Sequence, residues 1–220
     1  MRELETRSLF TVADSSIAYD FLEKYPYPWL ILSEIGKIIT EIGKGLGGEY
    51  EQIEKDVWVA ADASVAASAL IKGPCIIDKG AEVRHCAFLR GNAIIGKGAV
   101  VGNSTEIKNS IVFDGAQLPH YNYVGDSLIG YRAHMGAGSI TSNIKGDKSN
   151  IKIRGSGEII DTGLRKIGAF LGDFAEIGCG TVLNPGAVVG VSAQIYPLCS
   201  VRGYVRPSCI YKGNGAVDRR

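Results

Sequence analysis

The chain has 220 residues, of which 45% are apolar and 21% are charged, and its formal net charge is +1. This composition is that of an ordinary soluble globular domain, and the near-zero charge gives no reason to expect nucleic acid or an anionic membrane as a partner. Residues 1–10 are charged and lack the apolar core of a signal peptide, and no apolar run is long enough to span a membrane. Five cysteines without C-x-x-C spacing are typical of free thiols in a reducing compartment. A cytoplasmic protein is therefore expected.

Residues 15–46 are predicted to be helical. Ser15 or Ser16 can cap a short first helix, and isoleucines then recur at helical spacing before a glycine-rich stretch ends the pattern. These isoleucines are Ile31, Ile35, Ile38 and Ile42.

A repeat of six residues begins at Val59. A large apolar residue occupies every sixth position, and a small residue follows four positions later. The large residues are Val59, Val65, Ile71, Ile77, Val83, Leu89, Ile95, Val101, Ile107 and Phe113, and the small ones are Ala63, Ala69, Cys75, Ala81, Ala87, Ala93, Ala99 and Thr105. A period of six is neither helical nor a simple strand alternation, and it indicates a solenoid.

Three six-residue sides close one coil of eighteen residues, with the large apolar side chains inside a triangular prism and the small ones at its corners. Stacked coils lie about 4.8 Å apart, so residues one coil apart in sequence lie above one another. The sequence thus predicts an all-β parallel solenoid of hexapeptide repeats. The apolar face of the preceding helix is expected to cover the first open coil, and binding of a partner is the alternative use of that helix.

The repeat is interrupted twice. After Phe113, Pro119 takes the position of the next large residue, and the count predicts about four extra residues in a loop at 121–127. A second loop is predicted at 142–168, with hairpin arms at 151–154 and 158–161. The repeat resumes at Leu171, Ile177, Leu183, Val189, Ile195 and Val201. The predicted parts are a helical cap at 1–50, the β-helix at 51–206 and a tail at 207–220.

Stacking places Lys72, Arg90 and Lys108 in one column at a corner of the prism. Three cations at strand spacing repel one another unless an anion, a carboxylate or water lies between them. A solvated basic edge is the simpler interpretation for Lys72, whereas Arg90 and Lys108 are candidates for a phosphate clamp. His120 lies in the first interruption, where it is either a hydrogen-bonded bystander or a general base.

Three segments, in this order, resemble a known family: 102–110 (GNSTEIKNS), 120–126 (HYNYVGD) and 136–143 (GAGSITSN). Together they closely resemble the acetyltransferase half of the bifunctional glucosamine-1-phosphate acetyltransferase/uridylyltransferases and their archaeal sugar-phosphate relatives. The likeness covers nearly everything after residue 50. It implies a left-handed parallel β-helix that forms a homotrimer and binds acetyl-CoA in grooves between neighbouring subunits.

The resemblance also implies roles for the matching residues. The family's catalytic base falls on His120, with the carboxylate of Glu106 nearby. Its phosphate ligands for an amino-sugar 1-phosphate fall on Arg90, Lys108 and Tyr123.

Three further positions match the family's acyl-transfer and substrate sites. The backbone N–H that holds the acetyl carbonyl falls on Ala137, and Asn143 matches an asparagine that would help to stabilise the oxyanion. Lys148 matches a substrate-binding lysine after a gap of one residue.

Several residues depart from the family's pattern. His134 stands in place of an asparagine in the amino-sugar site, and Ile144 in place of a tyrosine. Near the acetyl-CoA groove, Asp173 replaces a serine and Val191 replaces an alanine. These changes bear on which sugar and which acyl donor the chain would use.

The expected function is acetyl-CoA-dependent N-acetylation of glucosamine- or galactosamine-1-phosphate, with no metal required. Residues 1–50 contain no glycine-rich nucleotide loop, so nucleotidyl transfer is not expected. The alternative is a non-catalytic β-helix that binds a sugar phosphate or sugar nucleotide as a regulatory or assembly subunit, if Asp173, Val191 and Ile144 have disabled the cofactor groove. An O-acyltransferase with the same fold and base is a third hypothesis.

Overall fold

The computed structural model of the chain describes residues 2–157 and 159–213 and the backbone of 217–219. It confirms the predicted fold class, because the chain forms a left-handed parallel β-helix preceded by a short helical segment. No helix among the described residues is long and apolar enough to cross a membrane.

The β-helix has three faces, each a ladder of short parallel strands. Face 1 contains Val57–Ala60, Cys75–Ile77, Ala93–Ile95, the second halves of Glu106–Val112 and Tyr123–Ile129, then Ala169–Leu171, Ala187–Val189 and Tyr204–Val205. Face 2 contains Ser64–Val65, Glu82–Val83, Val100–Asn103, Gln117–His120, His134–Met135, Glu176–Ile177, Gln194–Ile195 and Cys209–Tyr211. Face 3 contains Leu70–Ile71, Phe88–Leu89, the first halves of Glu106–Val112 and Tyr123–Ile129, then Ile140–Thr141, Val182–Leu183 and Ser200–Val201.

The coils are not all of one length. Val57 pairs with Cys75 and Cys75 with Ala93, which are steps of eighteen residues, but Ala93 pairs with Ser110 and Ser110 with Ser127, which are steps of seventeen. Each shortened coil turns through a non-glycine residue in the left-handed region, Asn109 with φ 47° and Asp126 with φ 50°.

The lost residue changes which side chains point inward. Val112, and not Phe113, lies in the core of the prism. Phe113 lies outside it and stacks on Phe10 with ring centroids 4.8 Å apart. The prediction that Phe113 is an inward residue was therefore wrong. Counting in steps of six assumes coils of eighteen residues and does not account for a corner that is one residue shorter.

The loop predicted at 121–127 is also absent. Glu106–Val112 pairs in parallel with Tyr123–Ile129 from one end to the other, and Leu118 and Val124 fill inward positions. Two shortened corners shifted the hexad register, and the sequence count misread that shift as an insertion.

The excursion at 142–168 leaves the β-helix and returns to it. Lys152–Arg154 and Ile159–Asp161 form an antiparallel hairpin, while residue 158 of the predicted second arm lies outside the described residues. Ile151 and Ile153 are buried, which fastens the hairpin to the body of the protein. The next coil then pairs directly with the one before the excursion, since Leu128 lies beside Phe170.

The β-helix continues past the predicted boundary at 206. Cys209–Tyr211 pairs in parallel with Gln194–Ile195, and Val217–Arg219 pairs antiparallel with Cys209–Tyr211. Val205 follows the inward Val201 after only four residues, so the six-residue count ended too early.

The helical segment comprises Arg2–Leu4, Thr6–Leu9, Tyr19–Leu22, Pro28–Ile31 and Ile35–Gly45. It packs along the outside of face 1, where the outward side chains form an apolar column of Trp58, Ile76, Ile94, Ile111, Leu128, Phe170 and Val188. The prediction that it covers the first open coil was wrong, because the apolar column offers it more surface to bury. The edge of that coil is instead paired by Tyr50–Glu54, which runs antiparallel to Val57–Ala60.

Asp173 ties the start of the chain to the β-helix. Its carboxylate is fully buried and accepts hydrogen bonds from Thr11 N (2.6 Å), Thr11 Oγ1 (3.0 Å), Val12 N (3.0 Å) and Tyr131 N (2.9 Å). A carboxylate surrounded by protein donors is not available to face a cofactor. The expected contact of Asp173 with acetyl-CoA was therefore wrong.

Asp173→Ala is expected to lower the free energy of unfolding by about 2–3 kcal/mol, because three backbone N–H groups lose their buried carboxylate acceptor. Urea unfolding would measure the loss, and amide hydrogen exchange should become faster at Thr11, Val12 and Tyr131. Asp147→Ala is the control, since Asp147 is exposed and bonds only Ser149 in its own loop. Equal effects of the two substitutions would contradict the anchoring role.

Candidate functional site

Two corners of the prism border face 3. The corner that precedes it, here called the histidine corner, stacks His85, Asn103, His120, Ala137 and Cys179 in successive coils. Backbone bonds join the layers: Gly138 N donates to His120 O, and Gly180 N donates to Ala137 O. The corner that follows face 3, here called the cation corner, stacks Lys72, Arg90 and Lys108.

The backbone at His120 is held firmly while its ring is left free. His120 N donates to Asn122 Oδ1 at 3.2 Å, and the buried Asn122 side chain donates in turn to Gly136 O and Ser139 O. The His120 ring makes no hydrogen bond to any described residue and is exposed. A neutral imidazole with both nitrogens free can take a proton from a bound nucleophile.

Ala137 lies in the layer above His120. Within the described part of the chain its backbone N–H donates to no acceptor, because the bonds between the layers run from its neighbours Gly136 and Gly138. A free N–H beside an imidazole is the arrangement that can stabilise an oxyanion formed next to a general base.

The cation corner contains two ion pairs of different burial. Arg90 Nη1 lies 2.6 Å from Glu106 Oε1, and both side chains are about a third to a half exposed, at 45% and 32%. Lys108 Nζ lies 3.3 Å from Asp126 Oδ2, and the Asp126 side chain is only 6% exposed. Arg90 and Lys108 thus each have a carboxylate beside them, whereas the Lys72 ammonium lies 5.6 Å from the centroid of the Phe88 ring. These partners explain how the column tolerates its own charge.

Asp126 is the centre of a hydrogen-bond network. Besides Lys108, its carboxylate accepts from Asn109 Nδ2 at 2.8 Å and from Asn143 Nδ2 at 2.6 Å. Asn143 Nδ2 also donates to the Tyr123 hydroxyl at 3.2 Å. This one buried carboxylate holds three side chains together, and Tyr123 joins the network through Asn143.

The network determines how Asn143 is oriented. An ionised carboxylate can only accept, so the atom 2.6 Å from Asp126 must be the amide nitrogen of Asn143. Its two hydrogens point to Asp126 and Tyr123, and none remains for an oxyanion. The expected donor role of Asn143 in oxyanion stabilisation was therefore wrong, and the side chain offers its oxygen instead.

Tyr123 is left with a hydroxyl hydrogen to give. Its oxygen accepts from Asn143, and burial together with the charges of Asp126 and Glu106 raises the pKa of the phenol. The hydroxyl therefore stays protonated at neutral pH and can donate to a ligand oxygen. Gly125 makes room for it, since a Cβ at that position would lie 2.5 Å from the Tyr123 hydroxyl.

Glu106 does not contact His120 within this chain. Its carboxylate is taken by Arg90 on the opposite side of face 3. The expectation that Glu106 steadies the base was wrong for a single chain, because its carboxylate is paired with Arg90 and the His120 ring bonds no described residue.

His134 also lies elsewhere than expected. It belongs to face 2, where its Nδ1 is 3.1 Å from Glu176 Oε2, and it lines two cavities of about 610 and 280 Å³. The structure does not bring it to Lys108 and Tyr123, which are on face 3. Its predicted place in the same amino-sugar site is wrong within one chain.

The smaller cavity extends from the histidine corner. It is a groove lined partly by Gly136, Cys179, Tyr196 and Pro197, the residues next to and above Ala137. Val191 lies outside this groove, at the corner between faces 1 and 2 beside the layer of Asp173, and its expected contact with acetyl-CoA stays a prediction.

Sequence reasoning missed Cys179 and Pro197 in this groove. A usable pattern was present, because MGAGS at 135–139 is repeated as IGCGT at 177–181, and the two segments stack. This internal repeat identifies Cys179 as the residue above Ala137 despite the excursion between them.

Two expected residues lie in the excursion. Lys148 is exposed, its side chain bonds no described residue, and its backbone N donates to Lys145 O. Ile144 is 43% exposed and forms a bridge with Lys166. Lys148 stays a prediction. No group of three or more His, Cys, Asp or Glu side chains able to hold a metal ion occurs in the described part of the chain.

Comparisons with known proteins agree with the motifs. The family model of the GMPPB C-terminal domain matches residues 71–156. The bifunctional sugar-1-phosphate nucleotidylyltransferase/acetyltransferase of Sulfurisphaera tokodaii is 38% identical over 96 residues, which are 44% of this chain and 24% of that protein. The bifunctional protein GlmU of Methanococcus maripaludis is 33% identical over 198 residues, which are 87% of this chain and 47% of that protein.

The resemblance inferred from the three motifs is confirmed by these matches. The chain spans less than half the length of either relative, 24% and 47%. Among solved structures, a mutant of perosamine N-acetyltransferase from Caulobacter crescentus, in complex with CoA and GDP-perosamine, matches with 14% identity and a TM-score of 0.40, over 74% of this chain and 57% of that one.

The two ion pairs are expected to differ in their contribution to stability. Asp126→Ala removes the acceptor of three donors in a buried network and should lower the free energy of unfolding by about 3 kcal/mol. Glu106→Ala breaks an exposed pair and should cost less than about 1 kcal/mol. Urea unfolding of both variants checks this, and a larger loss in Glu106→Ala would refute the account of the cation corner.

Proposed function

We propose that the chain is an acyl-CoA-dependent N-acyltransferase that transfers an acetyl group from acetyl-CoA to the amine of an amino-sugar 1-phosphate, with His120 as the general base. The observation that carries the proposal is that His120, with a free imidazole, and Ala137, with a free N–H, occupy adjacent layers of a corner that continues into a groove. The similarity to the bifunctional sugar-1-phosphate nucleotidylyltransferase/acetyltransferase of Sulfurisphaera tokodaii supports the proposal.

The reaction follows from these groups. The acceptor amine loses a proton to His120 and attacks the thioester carbonyl. The negative charge that forms on the carbonyl oxygen is stabilised by Ala137 N–H. When the C–S bond breaks, the proton passes from His120 to the departing thiolate of CoA, so that the amide and the free thiol are the products.

The acceptor would lie across face 3. Arg90, Lys108 and the free hydrogen of Tyr123 are donors for its phosphate. Arg90 can leave its exposed partner Glu106 at little cost, because exposed ion pairs contribute little. Gly125, beside Lys108, is five residues from His120. Their Cα atoms are therefore at most about 17 Å apart, and closer because the chain turns a corner between them. A sugar ring and its phosphate, together with the side chains that contact them, can bridge this distance.

The groove along Gly136, Cys179 and Pro197 would hold the pantetheine arm of the acyl-CoA. It is open on one side, and a neighbouring copy in a homotrimer would close it and complete the site. Lys148, in an exposed loop, and His134, on face 2, could reach the acceptor bound to such a neighbour. The protein would act in the cytoplasm, where acetyl-CoA is available. None of the roles proposed for these residues requires a metal ion.

Two of the three reasons for the non-catalytic alternative concern residues that lie outside the proposed groove. Asp173 is a buried anchor and Val191 lies at another corner, so neither obstructs the groove. Only Ile144 remains as a departure near the site. Binding of a sugar phosphate without binding of acetyl-CoA, measured by isothermal titration, would restore that alternative.

His120→Ala should lower kcat by about 10²- to 10⁴-fold, because general-base catalysis is lost while the backbone bond to Asn122 is kept. A thiol-release assay with acetyl-CoA measures the rate. His85→Ala is the matched control, since His85 occupies the same corner two layers below and should leave the rate unchanged. An unaltered rate in His120→Ala would remove His120 from the mechanism.

A panel of acceptor compounds, assayed with acetyl-CoA for thiol release, tests the substrate class. Thiol release should be fastest with glucosamine- or galactosamine-1-phosphate, and the same amines without phosphate should show a KM raised by at least about tenfold, because they lose charge-assisted bonds to Arg90 and Lys108. Faster release with a hydroxyl acceptor would favour an O-acyltransferase and overturn the proposed amine.

A further inference from the structure

We infer that Asp126 is a positioning residue that sets the acceptor specificity of the site, because it holds Asn143 with its amide oxygen toward the acceptor. This inference rests on the proposed function. Asp126 does not need to touch the acceptor, since it acts through Asn143.

The orientation of Asn143 follows from the bonds of its nitrogen. Nδ2 donates to Asp126 Oδ2 at 2.6 Å and to the Tyr123 hydroxyl at 3.2 Å, which uses both hydrogens. Rotation of the amide would place its oxygen against a carboxylate that can only accept. The buried charge of Asp126 therefore excludes the rotated form.

The oxygen of Asn143 is left to a ligand. Oδ1 accepts no hydrogen bond from the described residues, and it is not among their buried atoms without a partner, so it is accessible to solvent. Next to it are the hydroxyl hydrogen of Tyr123 and the ammonium of Lys108. The surface thus offers one acceptor beside two donors.

That pattern fits a ligand with a cationic donor next to an anion. An ammonium group has hydrogens but no lone pair, so it can bind the oxygen of Asn143 but not its NH₂ group. A hydroxyl in the same position can donate or accept and would bind either orientation. A protonated amine adjacent to a phosphate is therefore favoured over the matched hydroxyl compound by the orientation that Asp126 imposes.

The test compares two ligands on the same protein. Isothermal titration with glucosamine-1-phosphate and with glucose-1-phosphate, at a pH where the amine is protonated, gives the ratio of their affinities. The wild-type protein should favour the amine by about tenfold or more, since a charge-assisted bond is involved. Asp126→Asn should bring the ratio close to unity, because the amide of Asn143 is then free to rotate. A variant that loses its fold would bind both ligands more weakly, without a selective change in the ratio of their affinities.

Four further variants make the result decisive. Asp126→Ser is measured alongside Asp126→Asn in case one of them does not fold. Asn109→Ala removes a donor from the other oxygen of Asp126 and should keep the wild-type ratio. Asn143→Ala should lower the affinity ratio as Asp126→Asn does. If Asp126 acts through Asn143, the variant that carries both substitutions should show no further change in this ratio.

The outcomes separate the inference from the proposed function. A wild-type ratio that persists in the folded Asp126 variants overturns the inference and leaves the function standing. A further fall in the double variant shows that the charge of Asp126 acts directly on the ligand, which also overturns it. A wild-type protein that binds neither sugar phosphate overturns the proposed function and the inference with it.

Discussion

The structure depends on one constraint: each coil must bring the chain back to the same corner, so that the inward aliphatic side chains stack. Outside the excursion, this return takes sixteen to eighteen residues. Strand spacing fixes the distance between layers at about 4.8 Å. Residues that are far apart in sequence therefore become neighbours at a corner, as Ala137 and Cys179 do across the excursion. The candidate site is a result of this stacking.

Within the site, fixed and free groups are divided between the two corners. At the cation corner, the buried carboxylate of Asp126 holds Lys108, Asn109 and Asn143 in one geometry. At the histidine corner, the ring of His120 and the N–H of Ala137 have no partner among the described residues although the backbone around them is tightly bonded. Groups that are held in place but left without a partner need little rearrangement when a substrate arrives, which is the physical content of preorganisation.

Some of the site could be predicted from the sequence because it precedes the first change of coil length. The column of Lys72, Arg90 and Lys108 follows from counting alone, since all three lie at steps of eighteen. Two later errors have one cause, which is that a corner with one residue fewer shifts every following position. The displaced prediction for Phe113 and the false loop at 121–127 both arise from it.

The hexad pattern by itself determined the parallel solenoid, because inward aliphatic residues at a period of six have few other ways to be buried together. The tertiary structure alone decided where the helical segment packs, that Asp173 is an anchor, and that Asn143 offers an oxygen to a ligand. These features depend on which donors meet which acceptors across layers up to 162 residues apart, and such pairings are set by three-dimensional packing that no local pattern encodes.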